Sequence, residues 1–179
     1  MILFLNKALN KVQRIWRKKL FRAYTKNKKA NVNIVGKMTL INPNIQVGNN
    51  VTFYPNVTLF GDGVIELGDN VNIGSGTIIY ASKNGGGVKI GEGTMIAGQC
   101  YIIDTDHGIE AGVPIREQQN TVQPICIGKN AWIAAGCKIL KGSVIGDGAV
   151  IGAASVVKGE IPPNAIAVGA IAKVKKYRE

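Results

Sequence analysis

His107 is the one histidine in a chain of 179 residues, and it stands in Asp104-Thr105-Asp106-His107-Gly108. An imidazole, with an unperturbed pKa near ~6.5, can take a proton from a group that barely ionises at neutral pH. A hydroxyl attacking an activated carbonyl needs such a base, and the oxyanion that develops needs a donor such as a backbone N–H. Asp104 and Asp106 either hold the imidazole tautomer, meet acceptor hydroxyls, or are solvated loop acids. Glu117 is a further orienting candidate, and Arg116 either meets an acidic ligand or pairs with Glu110 or Glu117. One histidine and three cysteines without ligand spacing (Cys100, Cys126, Cys137) make no metal site, so no metal is expected.

The elements that must position His107 follow from a second pattern. An aliphatic residue returns every sixth position: Val35, Ile41, Val47, Phe53, Leu59; then Leu67, Ile73, Ile79; then Ile90, Ile96, Ile102; then Ile127, Ile133, Ile139, Ile145, Ile151, Val157. Six is neither the 3.6 of a helix nor the 2 of a solitary strand; it marks a hexapeptide β-helix, with one short strand and a corner per repeat. Small or β-branched residues four positions on suit a narrow triangular prism, and Cys100 and Cys137 fall on that inward column while Cys126 points out. Three hexads make one turn. The rhythm breaks between such groups by two residues at Gly61-Asp62-Gly63, by five near Asn84–Gly87 and by nineteen after Ile102. Insertions at corners leave the stack in register. The Lys83–Val88 loop, with Asn84, and the excursion 104–123 are therefore the expected walls of a ligand pocket beside His107. Trp132 points outward by the same count, where an indole needs a cover. Pro162 and Pro163 are expected to stop the stacking, since proline donates nothing to a ladder.

Charge divides the chain. Residues 1–29 hold ten Lys/Arg and no Asp or Glu, whereas the remainder holds twelve against eleven. The near-neutral body speaks against nucleic acid as a partner. Apolar residues at Leu5, Leu9, Val12, Ile15, Trp16, Leu20, Phe21 and Tyr24 recur at helical intervals, so residues 1–30 read as a basic amphipathic helix. It either lies on an anionic membrane surface or packs on the body or a neighbouring subunit. The remaining organisation is a β-helix over 31–162 and a strand with a basic tail over 163–179. No apolar run nears the ~20 residues of a membrane span. Ile2-Leu3-Phe4-Leu5 is too short for a signal-peptide core. A cytoplasmic protein is expected, with the helix as a peripheral contact to the inner membrane face.

The segments Ile127-Gly128-Lys129-Asn130-Ala131-Trp132-Ile133, Ile145-Gly146-Asp147-Gly148-Ala149-Val150-Ile151-Gly152-Ala153 and Ile161-Pro162-Pro163-Asn164, followed by Val168-Gly169 and Lys173-Val174, resemble the hexapeptide-repeat acyltransferases. The likeness is to their sugar O-acetyltransferase branch, with galactoside, maltose and capsular-polysaccharide enzymes. The resemblance implies a left-handed parallel β-helix, an exception to the right-handed crossover rule. It further implies a homotrimer with sites between neighbouring prisms, acetyl-CoA as donor, and His107 as general base without an acyl-enzyme. Family contacts to the donor map onto Trp132, Ala135, Ala153, Lys158 and Lys173. Lys158 departs from the pattern, because relatives carry Thr-Lys before the acidic residue where this chain reads Lys158-Gly159-Glu160.

The expected activity is acetyl transfer to a sugar hydroxyl of a surface polysaccharide or its precursor. The alternative is N-acetylation of a nucleotide-linked amino sugar or of a small molecule. A γ-type carbonic anhydrase would share the prism, but its zinc needs three histidines and this chain offers one.

Overall fold

The computed structural model describes residues 12, 13, 15–19, 21, 25 and 29–179. From Val32 onward the chain winds through three parallel ladders, which form the faces of a prism. Face 1 stacks Val32–Ile34, Val51–Phe53, Asn72–Ile73, Met95–Ile96, Trp132–Ile133, Val150–Ile151 and Ala165–Val168, and ends with Lys173–Tyr177. Face 2 stacks Thr39–Leu40, Thr58–Gly61, Ile78–Ala81, Tyr101–Ile103, Lys138–Ile139 and Val156–Val157. Face 3 stacks Ile45–Val47, Ile65–Leu67, Val88–Ile90, Ile125–Ile127, Val144–Ile145 and Glu160–Ile161.

The hexad explains the winding. Each parallel strand is only two to four residues long, so one or two apolar side chains per strand reach the axis; Phe53, Leu59, Ile73, Ile79, Ile102, Ile133, Ile139 and Ile151 are all fully buried. Each such side chain contributes roughly 1.5–3 kcal/mol. The small inward positions are buried as well, and where they are polar they bond within the stack. Thr77 Oγ1 donates to the Ala97 carbonyl at 3.0 Å, and Thr94 Oγ1 donates to that of Gly128 at 2.7 Å. Cys100 and Cys137 are buried in the same column, while Cys126 is exposed.

Three places differ from the sequence reading. Val35 and Ile41 are 48% and 66% exposed; Ile34 and Leu40 take the inward places, pairing with Phe53 and Leu59. The cause is one additional residue in the first turn. Asn42 is wholly buried, its amide donates to Gly63 O at 2.9 Å, and both Ile41 N and Asn42 N donate to Leu59 O. Second, Pro162 and Pro163 do not end the stack: Ala165–Val168 still pairs in parallel with Val150–Ile151. The proline ring replaces no ladder donor there, because both residues occupy a corner. Only Lys173–Tyr177 reverses, pairing antiparallel with Ala165–Val168 and anchored by Arg178, whose guanidinium donates to Gly148 O at 2.8 Å. Third, the described helical residues end at Phe21, and Thr25 already forms a parallel bridge with Ile45. Leu5, Leu9, Leu20 and Tyr24 lie outside the described residues. Phe21 is buried against Phe53 with ring centroids 5.1 Å apart, so this segment closes the lower end of the prism.

Candidate functional site

All chain-length variation falls at the corner between faces 2 and 3. Residues added there grow turn by turn: Asn42 in the first, Gly61–Gly63 in the second, the Lys83–Gly87 stretch in the third and the 104–123 excursion in the fourth. The ladders on either side are undisturbed, as Ile102 pairs with Ile79 and Ile127 with Ile90. His107 projects from this corner because the excursion opens with a short antiparallel pair, Thr105–Asp106 against Thr121–Val122. Its tip is a 3-10 turn at Ile115–Glu117. Gln118 ties the tip together: its carbonyl oxygen accepts from Glu110 N at 2.8 Å, and its amide nitrogen donates to Glu110 O and Val113 O at 2.9 and 2.8 Å.

Asp104 fastens the two loops to each other. Its wholly buried carboxylate accepts from Ser82 N at 2.8 Å and from Gly87 N at 2.6 Å. Burial pushes its carboxyl above the usual range, while the Ser82 and Gly87 amides pull the other way. Gly86 makes room for it: a Cβ there would sit 2.2 Å from Oδ2. Asp104 is thereby committed to backbone amides and does not bond His107. Asp106 instead pairs with Lys141, Nζ to Oδ2 3.5 Å, and Lys141 also bonds Thr121 Oγ1. Glu117 pairs with Arg116 at 3.7 Å. The exposed His107 ring has no hydrogen bond to the described residues.

Between the loops lies a cavity of about 590 Å³ lined by Ser82, Asn84, His107, Arg116, Gln118, Gln119, Asn120 and Val122. Hydroxyl, amide, imidazole and guanidinium groups surround it, a set suited to a ligand rich in hydroxyls. Of the residues singled out from sequence, it gathers His107, Asn84 and Arg116. Ser82 and Gln118–Asn120 join them without any sequence signal, being polar residues in loops that follow no period.

The remaining candidates lie elsewhere. Trp132 is 49% exposed on the outside of face 1, in register with Met95, and beside Tyr54 it lines a shallow groove of about 380 Å³. Ala135 and Ala153 are exposed at the corner between faces 1 and 2, and their amide N–H groups have no partner among the described residues. Lys173 is exposed on the reversed strand, and Lys158 is exposed at the corner that carries His107. In a triangular prism that corner is the vertex opposite face 1. His107 and Trp132 therefore look in opposite directions within one chain.

Residues 127–159 match the sequence family described as "Bacterial transferase hexapeptide (six repeats)". Over 144 residues the chain is 34% identical to the putative lipopolysaccharide biosynthesis O-acetyl transferase WbbJ of Escherichia coli, covering 74% of this chain and 72% of that protein. It is 38% identical over 119 residues to a probable acetyltransferase of Mycobacterium tuberculosis, covering 66% of this chain but only 39% of the relative's length. Among solved structures, a point mutant of the N-acyltransferase AntD from Bacillus cereus, in complex with dTDP and coenzyme A, superposes with a TM-score of 0.72 at 25% identity, over 84% of this chain and 82% of that one. Prism, repeat and relatives agree: the chain belongs to the hexapeptide-repeat transferase family.

Proposed function

We propose that the protein transfers an acetyl group from acetyl-CoA to a sugar hydroxyl of a surface polysaccharide or its precursor. The observation that carries this reading is the polar cavity in which the lone imidazole faces amides, a hydroxyl and a guanidinium. His107 takes the proton of the acceptor hydroxyl as its oxygen attacks the thioester carbonyl. The C–S bond then breaks, and the proton passes to the departing thiolate, so no acyl-enzyme forms. The unpartnered amides of Ala135 and Ala153 fit the carbonyls of a pantetheine arm, Trp132 fits its thiol end, and Lys173 and Lys158 fit coenzyme phosphates.

His107 and the Trp132 face point away from each other in one chain, so a complete site takes His107 from one prism and the donor groove from the next. A homotrimer meets that need and covers Met95, Tyr54 and Trp132. The test is thiol release from acetyl-CoA by the purified chain against a panel of glycosides, together with light scattering. A monomer that transfers acetyl at full rate would overturn the shared site.

A second reading has one observation in its favour. The AntD structure, an N-acyltransferase, matches most of the chain, and an amino sugar linked to a nucleotide would be the corresponding acceptor. Arg116, which lines the cavity and pairs with Glu117, would meet the phosphates of such a nucleotide. Including amino-sugar nucleotides in the same panel separates the two.

A further inference from the structure

The helical residues below the prism do not form one apolar stripe. At 100° per residue, Val12, Ile15, Trp16 and Lys19 fall within an arc of about 100°, and Phe21 lies on the opposite side. The side chains obey this division. Phe21 is buried on Phe53 inside the lower turns, whereas Val12, Ile15 and Trp16 (61% exposed) face solvent. Lys19 Nζ stands over the Trp16 ring, 5.8 Å from its centroid. The segment is held by one face and offers another.

We propose that this outward face docks the protein on an anionic lipid surface. Three observations select that occupant. The exposed residues are an indole and two aliphatics flanked by cations, the combination that sits at the boundary of headgroups and acyl chains. The first 29 residues carry ten cations and no acid, while the rest of the chain is nearly balanced, and Arg17, Lys18 and Lys19 stand beside Trp16 in the described helical residues. A neutral protein partner or a second copy of this basic segment would not be drawn by that charge; an acidic surface is. Phe21 fixes the docking face to the base of the stack. With turns about 4.8 Å apart, the His107 cavity in the third and fourth turns stands about 12 Å above the first turn. That is within reach of a sugar carried on a lipid, and this last step rests on the acetyl-transfer reading.

The experiment uses the full chain with vesicles of phosphatidylcholine alone and of phosphatidylcholine mixed with phosphatidylglycerol. The protein is expected to sediment with the anionic vesicles only, to be released by high salt, and to show a blue-shifted Trp emission that Trp16→Phe diminishes. The double variant Ile15→Ser/Trp16→Ser is expected to weaken binding roughly tenfold or more, given the apolar area withdrawn. It should leave acetyl transfer to a soluble acceptor unchanged, which keeps this proposal separable from that of the activity. Any of these outcomes would overturn it: equal binding to both vesicles, undiminished binding by the double variant, or binding to random-sequence RNA in place of vesicles. A change of oligomeric state in the double variant would do the same, by assigning the face to contacts between copies.

Discussion

Two corners of the same prism have opposite characters. Where face 3 turns into face 1, the chain passes in fixed length and glycine recurs at Gly48, Gly68, Gly91, Gly128 and Gly146. A Cβ on Gly128 would lie 2.3 Å from the Asp147 carboxylate and 2.6 Å from its backbone nitrogen. Where face 2 turns into face 3, nineteen extra residues leave and return without moving a single ladder partner. The first corner sets the spacing of the turns. The second is free of that duty and carries the imidazole, the Asn84 loop and the polar cavity.

The contrast can be broken from either side. At the free corner, His107→Ala should lower acetyl transfer by about 10²–10⁴-fold, the usual span for a general base, with the melting temperature unchanged. Transfer that persists undiminished would remove the catalytic assignment. At the tight corner, Gly128→Val should cost about 3 kcal/mol by denaturant unfolding, because the backbone of Gly146 and Asp147, which cannot swing aside, opposes the new atoms together with the Asp147 carboxylate. A smaller loss is expected where the corners are joined by hydrogen bonds alone: Asp104→Asn should cost about 1–2 kcal/mol, since one N–H acceptor becomes a donor. It should also raise the KM for the acceptor more than it lowers kcat, since Asp104 holds the pocket walls and does not touch the imidazole. The same substitution tests a pH effect. Folding raises the Asp104 pKa from its ordinary 3.8, so the stability this group contributes is fully present below that pH and is lost as pH rises through the raised value. Asp104→Asn should flatten that decline in acid unfolding curves. Least of all, Lys89→Met, which removes an exposed pair 3.9 Å from Glu66 on face 3, should change stability by about 0–1 kcal/mol.

The prism is legible in the sequence from Val47 onward, because a buried apolar residue at the same place on every face leaves a period that insertions interrupt without erasing. The same period misplaces Val35 and Ile41 for a physical reason. Asn42 is a buried amide that satisfies itself on carbonyls of the turn above, and in a string of letters it reads as an ordinary surface residue. Asp104 is hidden in the same way: an acid next to a histidine suggests an orienting partner, yet its carboxylate turns inward to the Ser82 and Gly87 amides. His107 and Asn84 stand out because they fall in breaks of the rhythm. Ser82, Gln119 and Asn120 line the cavity through loop geometry that no period announces.

A ladder of parallel coils has no intrinsic length, and each end is an invitation to the next molecule. The reversed strand Lys173–Tyr177 withdraws that invitation at the top of face 1. It offers an antiparallel edge studded with Lys173, Lys175 and Lys176, on which another parallel turn finds the wrong polarity and a repelling charge. On that face the direction of five residues is what ends the ladder.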